Sequence, residues 1–98
     1  MLEIVFLARA EEDVLMAWDR YEVIGAGLGD AFEEAIGAAL HRVARFPESA
    51  PIYHQRFRRL LVRRFQHGVF YAVEGRRLVV RAVLDLRQDS VEIRKRLR

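Results

Sequence analysis

Apolar positions along the chain fall into blocks of two different periods. Leu2-Glu3-Ile4-Val5-Phe6-Leu7 is a short apolar run with one charge and predicts a largely buried strand. From Ala8 to Ile24 the period changes. Ala10, Val14, Ala17, Trp18, Tyr21 and Ile24 recur at spacings of three and four, which places them on one face of a helix. Glu11, Glu12 and Asp13 crowd the first turn of that helix, where the backbone dipole favours negative charge, and read as outward, solvated residues. Gly25-Ala26-Gly27-Leu28-Gly29 then breaks the pattern. A second helical stripe runs from Leu28 or Gly29 to Arg45 through Leu28, Phe32, Ala35 or Ile36, Ala39 and Val43. Phe46-Pro47 ends it, because the residue before a proline is pushed out of the α region. Together the two helices predict an antiparallel hairpin.

The second half reads differently. Residues 47–56 hold both prolines and predict a loop. Three strand-like runs follow: Phe57 to Phe65, Val69 to Glu74 and Leu78 to Asp85. Gln66-His67-Gly68 and Gly75-Arg76-Arg77 are short connections, so these strands predict an antiparallel meander. Residues 89–97 predict a last helical turn or two, with Asp89 or Ser90 as its cap. The expected class is α+β in the order β-α-α-β-β-β. A helical hairpin packs on one face of a small, mainly antiparallel sheet, a short helix closes the chain, and the other sheet face is left for water or a partner. At 98 residues, a single domain spanning 1–98 is expected.

Composition narrows the function classes. Hydrophobic residues at 52% and charged residues at 32% fit a folded globular chain. No cysteine occurs, so neither a disulfide framework nor a thiolate metal site can form. The glycine cluster follows a helix instead of a strand and no Lys-Ser/Thr pair comes after it, so it reads as a hairpin turn rather than a phosphate loop. Glu11, Glu12, Asp13, Glu33 and Glu34 read as solvated acids, not metal ligands, so no metal and no cofactor are expected. No apolar run approaches the roughly 20 residues that span a bilayer. The N-terminus lacks the basic flank of a secretory signal, which points to the cytoplasm.

Net charge divides sharply. Residues 1–51 carry four arginines against ten acids, a net of −6; residues 52–98 carry thirteen basic residues against four acids, a net of +9. A basic half of this kind attracts nucleic acid, an acidic peptide or an acidic protein surface. Along Phe57 to Phe65, alternation puts Arg59 and Arg63 with Leu61 and Phe65 on one face, and Arg58 and Arg64 with Leu60 and Val62 on the other. Neither face is purely apolar, so periodicity leaves open which one packs inward. Arg81 interrupts Val79-Val80-Ala82-Val83, where a charge needs a partner; either it faces a binding partner or it pairs with Asp85 or Glu74. Trp18 and Tyr21 lie on the apolar stripe and read as core. His54 and His67 are either ordinary loop residues or a proton-transfer pair, with Tyr71, Arg63, Arg81 and Arg87 as phosphate ligands.

Several segments, taken in order, carry a resemblance. Ala31-Phe32 through Ile36 lies in the second helix, Phe46-Pro47-Glu48 ends it, Arg63-Arg64-Phe65 precedes the aromatic strand Phe70-Tyr71-Ala72-Val73-Glu74, and Val83-Leu84-Asp85-Leu86-Arg87-Gln88-Asp89 closes the last strand. In this order and spacing the whole chain resembles the RelE/ParE toxins of type II toxin–antitoxin systems. It departs from them at Phe65-Gln66-His67, where Phe-Pro-Tyr is common, at Asp85, where His is common, and at Ser90, where Pro is common.

The resemblance implies a cognate antitoxin and one of two activities. ParE-like members poison DNA gyrase by protein binding; RelE-like members cut mRNA in the ribosomal A site. The nuclease branch carries an arginine on the middle strand of the meander and a tyrosine near the C-terminus. Here those places correspond to Gly68 and Ile93, and no tyrosine follows Tyr71. That favours the ParE-like branch. A surrogate nuclease set of His54, His67, Tyr71 and Arg87 is the alternative, and an inactive toxin-fold binding module is a third. Arg59, Arg63, Arg64, Arg81 and Arg87 are the expected partner-binding residues, suited to an acidic antitoxin segment that folds as it wraps the toxin. A dimer and a toxin–antitoxin hetero-oligomer both fit.

Overall fold

The computed structural model describes residues 1–98. Strand β1 (Glu3–Phe6) leads into helices α1 (Ala8–Ile24) and α2 (Leu28–Arg45). Then come β2 (Ile52–His54), β3 (Phe57–Val62), β4 (His67–Glu74), β5 (Arg77–Asp85) and α3 (Ser90–Arg96). The α+β class and the helical hairpin are as the periodicity predicts. The sheet has the order β1-β5-β4-β3-β2, with β1 parallel to β5 and every other pair antiparallel.

The hairpin turn is held from within. The Glu22 carboxylate accepts from the N–H groups of Gly27 at 3.0 Å and Gly29 at 2.9 Å, two donors at the start of α2 that the helix itself cannot satisfy. Gly27 has φ +87°, a conformation that a side chain would strain. Gly29 lies under the Trp18 indole, and a Cβ there would meet Nε1 at 2.6 Å. The same Nε1 donates to Asp30 Oδ1 at 3.1 Å, so Trp18 sits half-exposed over the turn instead of inside the core.

Two apolar layers lie on opposite faces of the sheet. On one, Ala10, Ala17, Phe32, Ile36, Leu40 and Val43 of the hairpin pack on Leu60, Val62, Val69, Tyr71, Leu78, Val80 and Val83. On the other, Phe57, Phe70, Ala72, Ala82 and Leu84 pack under Ile93 and Leu97. The second sheet face is therefore not bare, as the sequence suggested. Part of it is roofed by α3, whose first turn is capped by Asp89 Oδ1 accepting from the Val91 N–H at 2.8 Å.

A β-bulge joins the two layers. Phe70 opposes Ala82 and Tyr71 opposes Val80, so Arg81 is an extra residue on β5. Val80 and Val83 consequently both face the hairpin, while Ala82 and Leu84 face α3.

Other expectations need correction. Residues 47–56 are not only loop, since β2 forms there between Pro47 and Pro51 on one side and the β3 turn on the other. Strand β3 stops at Val62; the turn is Arg63–Gln66, not 66–68, and Arg64 adopts φ +73° in it. Strand β1 is half-buried because it is an edge, and Ile24, at the last position of α1, is exposed. Asp13 is not solvated. It points inward, accepts from the Val83 N–H at 3.0 Å and binds Arg96 through both oxygens at 3.0 and 2.8 Å. β1 pairs with β5 only from Arg77 to Val80, so Asp13 takes a β5 donor that β1 is too short to reach.

Candidate partner-binding face

The face of the sheet opposite the hairpin carries the chain's most unusual charges. Strand alternation on β3 settles the ambiguity in the sequence. Leu60 and Val62 lie with the hairpin core, so Phe57 and Arg59 lie on the opposite side. Arg58, on the hairpin side, is structural. Its Nη1 donates to Ala50 O at 2.7 Å and Glu48 O at 3.3 Å, tying the loop after α2 to the sheet.

Three guanidinium groups gather over aromatic rings on the open face. Arg56 lies 4.7 Å and Arg81 5.3 Å from the Phe57 ring centroid, and Arg59 lies 5.0 Å from that of Tyr53. Tyr53 packs edge-on against Phe70 with centroids 5.2 Å apart. Stacking of this kind holds the planar groups while leaving their N–H edges free. Acids are scarce around them. Glu74 reaches only Arg56, at 3.6 Å and with both side chains half-exposed. Arg81 pairs with neither Glu74 nor Asp85, and its Nε is buried without any hydrogen-bond partner. A buried guanidinium N–H left unsatisfied is costly, and it is the only orphaned side-chain atom of its kind in the chain. The bulge sets Arg81 and Ala82 side by side on the same face of the sheet, so the guanidinium lies over Phe57 next to an apolar neighbour.

The remaining expected arginines lie at one end of the sheet. Arg63 and Arg64 are exposed on the β3–β4 turn, with the Arg64 guanidinium 5.5 Å from the Phe65 ring centroid. The Leu86 N–H donates to Gln66 O at 2.8 Å and sets that turn beside the segment bearing Arg87. Arg87 is clamped onto Asp85, with Nη2 2.6 Å from Oδ2 and Nε 3.0 Å from Oδ1. These hydrogen bonds hold the Asp85 carboxyl down at about 2 and push the Arg87 guanidinium further up.

The candidate proton-transfer residues do not converge. Tyr71 is buried on the hairpin side, where its hydroxyl donates to Pro47 O at 2.7 Å, and burial raises its pKa. His67 is 4% exposed, its ring 4.9 Å from that of Phe32, with Nδ1 3.0 Å from the Tyr21 hydroxyl. Burial lowers the His67 pKa, opposed by the Asp85 charge, and burial raises that of Tyr21. His54 is half-buried on β2, at the opposite edge of the sheet from β1. At Gly68 a Cβ would meet Leu86 Cδ2 at 2.8 Å and Arg59 Cγ at 3.3 Å, so neighbouring side chains already fill that space. Ile93 belongs to α3 and is buried against the sheet. No cluster of His, Cys, Asp or Glu could hold a metal ion. No helix is long and apolar enough to cross a membrane.

Sequence reasoning missed Arg56 and Tyr53. Both belong to the β2–β3 hairpin, whose three-residue first strand carries no periodic signal.

Comparisons with family models and with curated proteins return no match. Among solved structures, a chain of the chromosomal ParDE TA system from P. aeruginosa superposes with a TM-score of 0.62 at 16% identity. The match covers 85% of this chain and 94% of that one. At this identity the likeness is one of fold alone: the chain shares the fold of that chain of the ParDE system.

Proposed function

We propose that the chain is the toxin component of a type II toxin–antitoxin pair. In this reading it is a ParE-like inhibitor of DNA gyrase that acts by protein binding and is neutralised by an acidic segment of its antitoxin. The observation that carries the reading is Arg81, a stacked cation on the open sheet face with a buried, unpartnered Nε and no acid of its own chain. A carboxylate from outside would satisfy it, and Arg56 and Arg59 beside it would bind the same segment. Arg63, Arg64 and Arg87 extend the basic surface at the sheet end, though Arg87 already has Asp85.

Several observations support protein binding over RNA cleavage. Tyr71 and His67 are turned toward the hairpin and hydrogen-bonded there. The place of a strand arginine is taken by Gly68, and the place of a tail tyrosine by the buried Ile93. General acid–base catalysis needs its groups within reach of one reacting atom, and His54, His67, Tyr71 and Arg87 do not share such a point.

The test is expression of the full chain alone in a bacterium. Growth arrest with an SOS response and gyrase-linked DNA breaks is expected. Arrest with codon-phased mRNA cuts would instead establish the RelE-like endoribonuclease, and no arrest the inactive binding module. Arg81→Ala should keep the circular dichroism spectrum yet weaken binding of an acidic antitoxin segment at least about tenfold, with a loss that shrinks in high salt. Unchanged affinity and unchanged toxicity would remove Arg81 from the site.

A further inference from the structure

At the end of α2 remote from the hairpin turn lies a pocket of about 420 Å³, lined by Met1, Leu2, Ala44, Arg45, Pro47 and Arg76. We infer that this end of the molecule docks on an anionic membrane surface. The phosphate of an acidic phospholipid headgroup is held between Arg45 and Arg76, and the flanking Met1 and Phe46 side chains enter the bilayer interface.

The backbone around the pocket is already committed. The Leu2 N–H donates to Ala44 O at 3.0 Å, Pro47 O accepts from the Tyr71 hydroxyl at 2.7 Å, and Arg76 O accepts from the Glu3 N–H at 2.9 Å. The Leu2 contact also satisfies one of the carbonyls that would repel an anion at a helix C-terminus. What the lining has left to offer is two guanidinium groups. Neither Arg45 nor Arg76 pairs with an acid of the chain. No acid lines the pocket, and the nearby Glu3 is held by Arg77 at 3.3 Å. Guanidinium forks match phosphate, which has oxygens enough to serve two of them at once.

The rim says that the phosphate comes on a lipid. Met1 is 76% exposed and Phe46 66% exposed, one on each chain segment that borders the two arginines. Phe46 is fixed there: its N–H donates to Arg42 O at 3.3 Å, its O accepts from the Ser49 N–H at 3.0 Å, and Pro47 follows. A small soluble phosphate would leave both side chains in water. At a bilayer surface apolar and aromatic side chains settle at headgroup level while arginines pair with anionic lipid. Arg42, in the last turn of α2, adds a third unpaired cation, against Glu48 as the one acid of residues 41–50.

The open sheet face is basic too, but it is built differently. Phe57 and Phe70 lie buried beneath its arginines, so charge there comes without an exposed phenyl ring to enter a bilayer. The two surfaces therefore suit different ligands, and the inference holds whichever target the toxin reading takes.

The test is flotation of the full chain with phosphatidylcholine vesicles, with and without phosphatidylglycerol. Binding is expected only where phosphatidylglycerol is present, and it should weaken in high salt. Arg45→Gln/Arg76→Gln should bind at least about tenfold more weakly, since each surface cation contributes about fivefold. Phe46→Ser keeps the charge and should still weaken binding at least about threefold. Arg63→Gln/Arg64→Gln removes the same charge at the other end of the sheet and should stay within about twofold of the unaltered chain. All these side chains are exposed, so the thermal melts should coincide. No flotation with phosphatidylglycerol, equal flotation with neutral vesicles, equal losses in the two arginine doubles, or unchanged binding by Phe46→Ser would each overturn the inference. Soluble glycerol phosphate saturating the chain as tightly as the vesicles do would overturn the lipid as its source.

Discussion

Asp13 offers a sharp energetic test, because one carboxylate serves three elements. It accepts from the Val83 N–H of β5 and from both terminal nitrogens of Arg96 on α3, while belonging to α1. The side chains are only 12% and 15% exposed. Breaking a buried ion pair by removing one member costs about 3–5 kcal/mol, and an orphaned buried N–H about 1–3 kcal/mol more. Arg96 sits in the last turn of a short helix and can swing to water, which relieves part of the first cost but frees α3 from its seat. Asp13→Ala should therefore lose about 3 kcal/mol. Asp13→Asn keeps an acceptor for Val83 and should lose about 2 kcal/mol. Against a usual total of roughly 5–15 kcal/mol, either is a large fraction. Urea unfolding followed by Trp18 fluorescence reads the change directly. With m near 1–1.5 kcal/mol/M, the Asp13→Ala midpoint falls by about 2–3 M. A double-mutant cycle with Arg96→Ala should return a coupling of at least about 1 kcal/mol. A loss under about 0.5 kcal/mol for Asp13→Ala, or strict additivity with Arg96→Ala, would refute the reasoning.

Two further outcomes follow from the hairpin and the buried histidine. Gly29→Ala places a methyl 2.6 Å from Trp18 Nε1, so the indole must shift; a loss of about 1–3 kcal/mol and a changed Trp18 emission are expected, and an unchanged spectrum with unchanged stability would contradict the close approach. His67 has a pKa lowered by burial, so its contribution to stability is full above the unfolded value near 6.5 and is lost as pH falls through the lower folded value. Stability measured across pH 8 to 5 should be flat and then decline by at most about 1.4 kcal/mol per pH unit, and His67→Gln should remove that decline. The Asp85 contribution, with its pKa at about 2, disappears only as pH falls from about 4 toward 2, so the two windows separate.

Both long helices were legible residue by residue, because seventeen and eighteen positions of three-and-four spacing sit between clear stops, Gly25 and Phe46-Pro47. The last helix was legible from its start, where the sequence offered Asp89 or Ser90 as the cap, and Asp89 takes that place. The β3 turn was not, since Phe65 continues an apolar–basic run and reads as strand. It is buried from a turn, and Arg64 takes the left-handed conformation that usually advertises itself with glycine or asparagine. Asp13 was hidden among three consecutive acids, where nothing local tells which one faces inward. The arginine face was visible as composition but not as geometry. Arg58 and Arg59 are adjacent and alike in sequence, and only the buried Leu60 and Val62 decide that one braces a loop and the other faces outward.

The extra residue at Arg81 has a consequence for how such chains are compared and altered. It works as a phase shifter: upstream of it even-numbered β5 residues meet the hairpin, downstream odd-numbered ones do. Removing that one codon would restore unbroken alternation in the strand. Ala82, Val83 and Leu84 would keep the faces they already take, because the alternation through Leu78 and Val80 then runs straight on to Val83, and only the extra guanidinium would be lost. A relative without the bulge is one residue shorter at this point, so aligning it requires a gap inside a strand, where gaps are least expected. Scoring that forbids such a gap would set Arg81 against an apolar position and misplace everything up to Asp85.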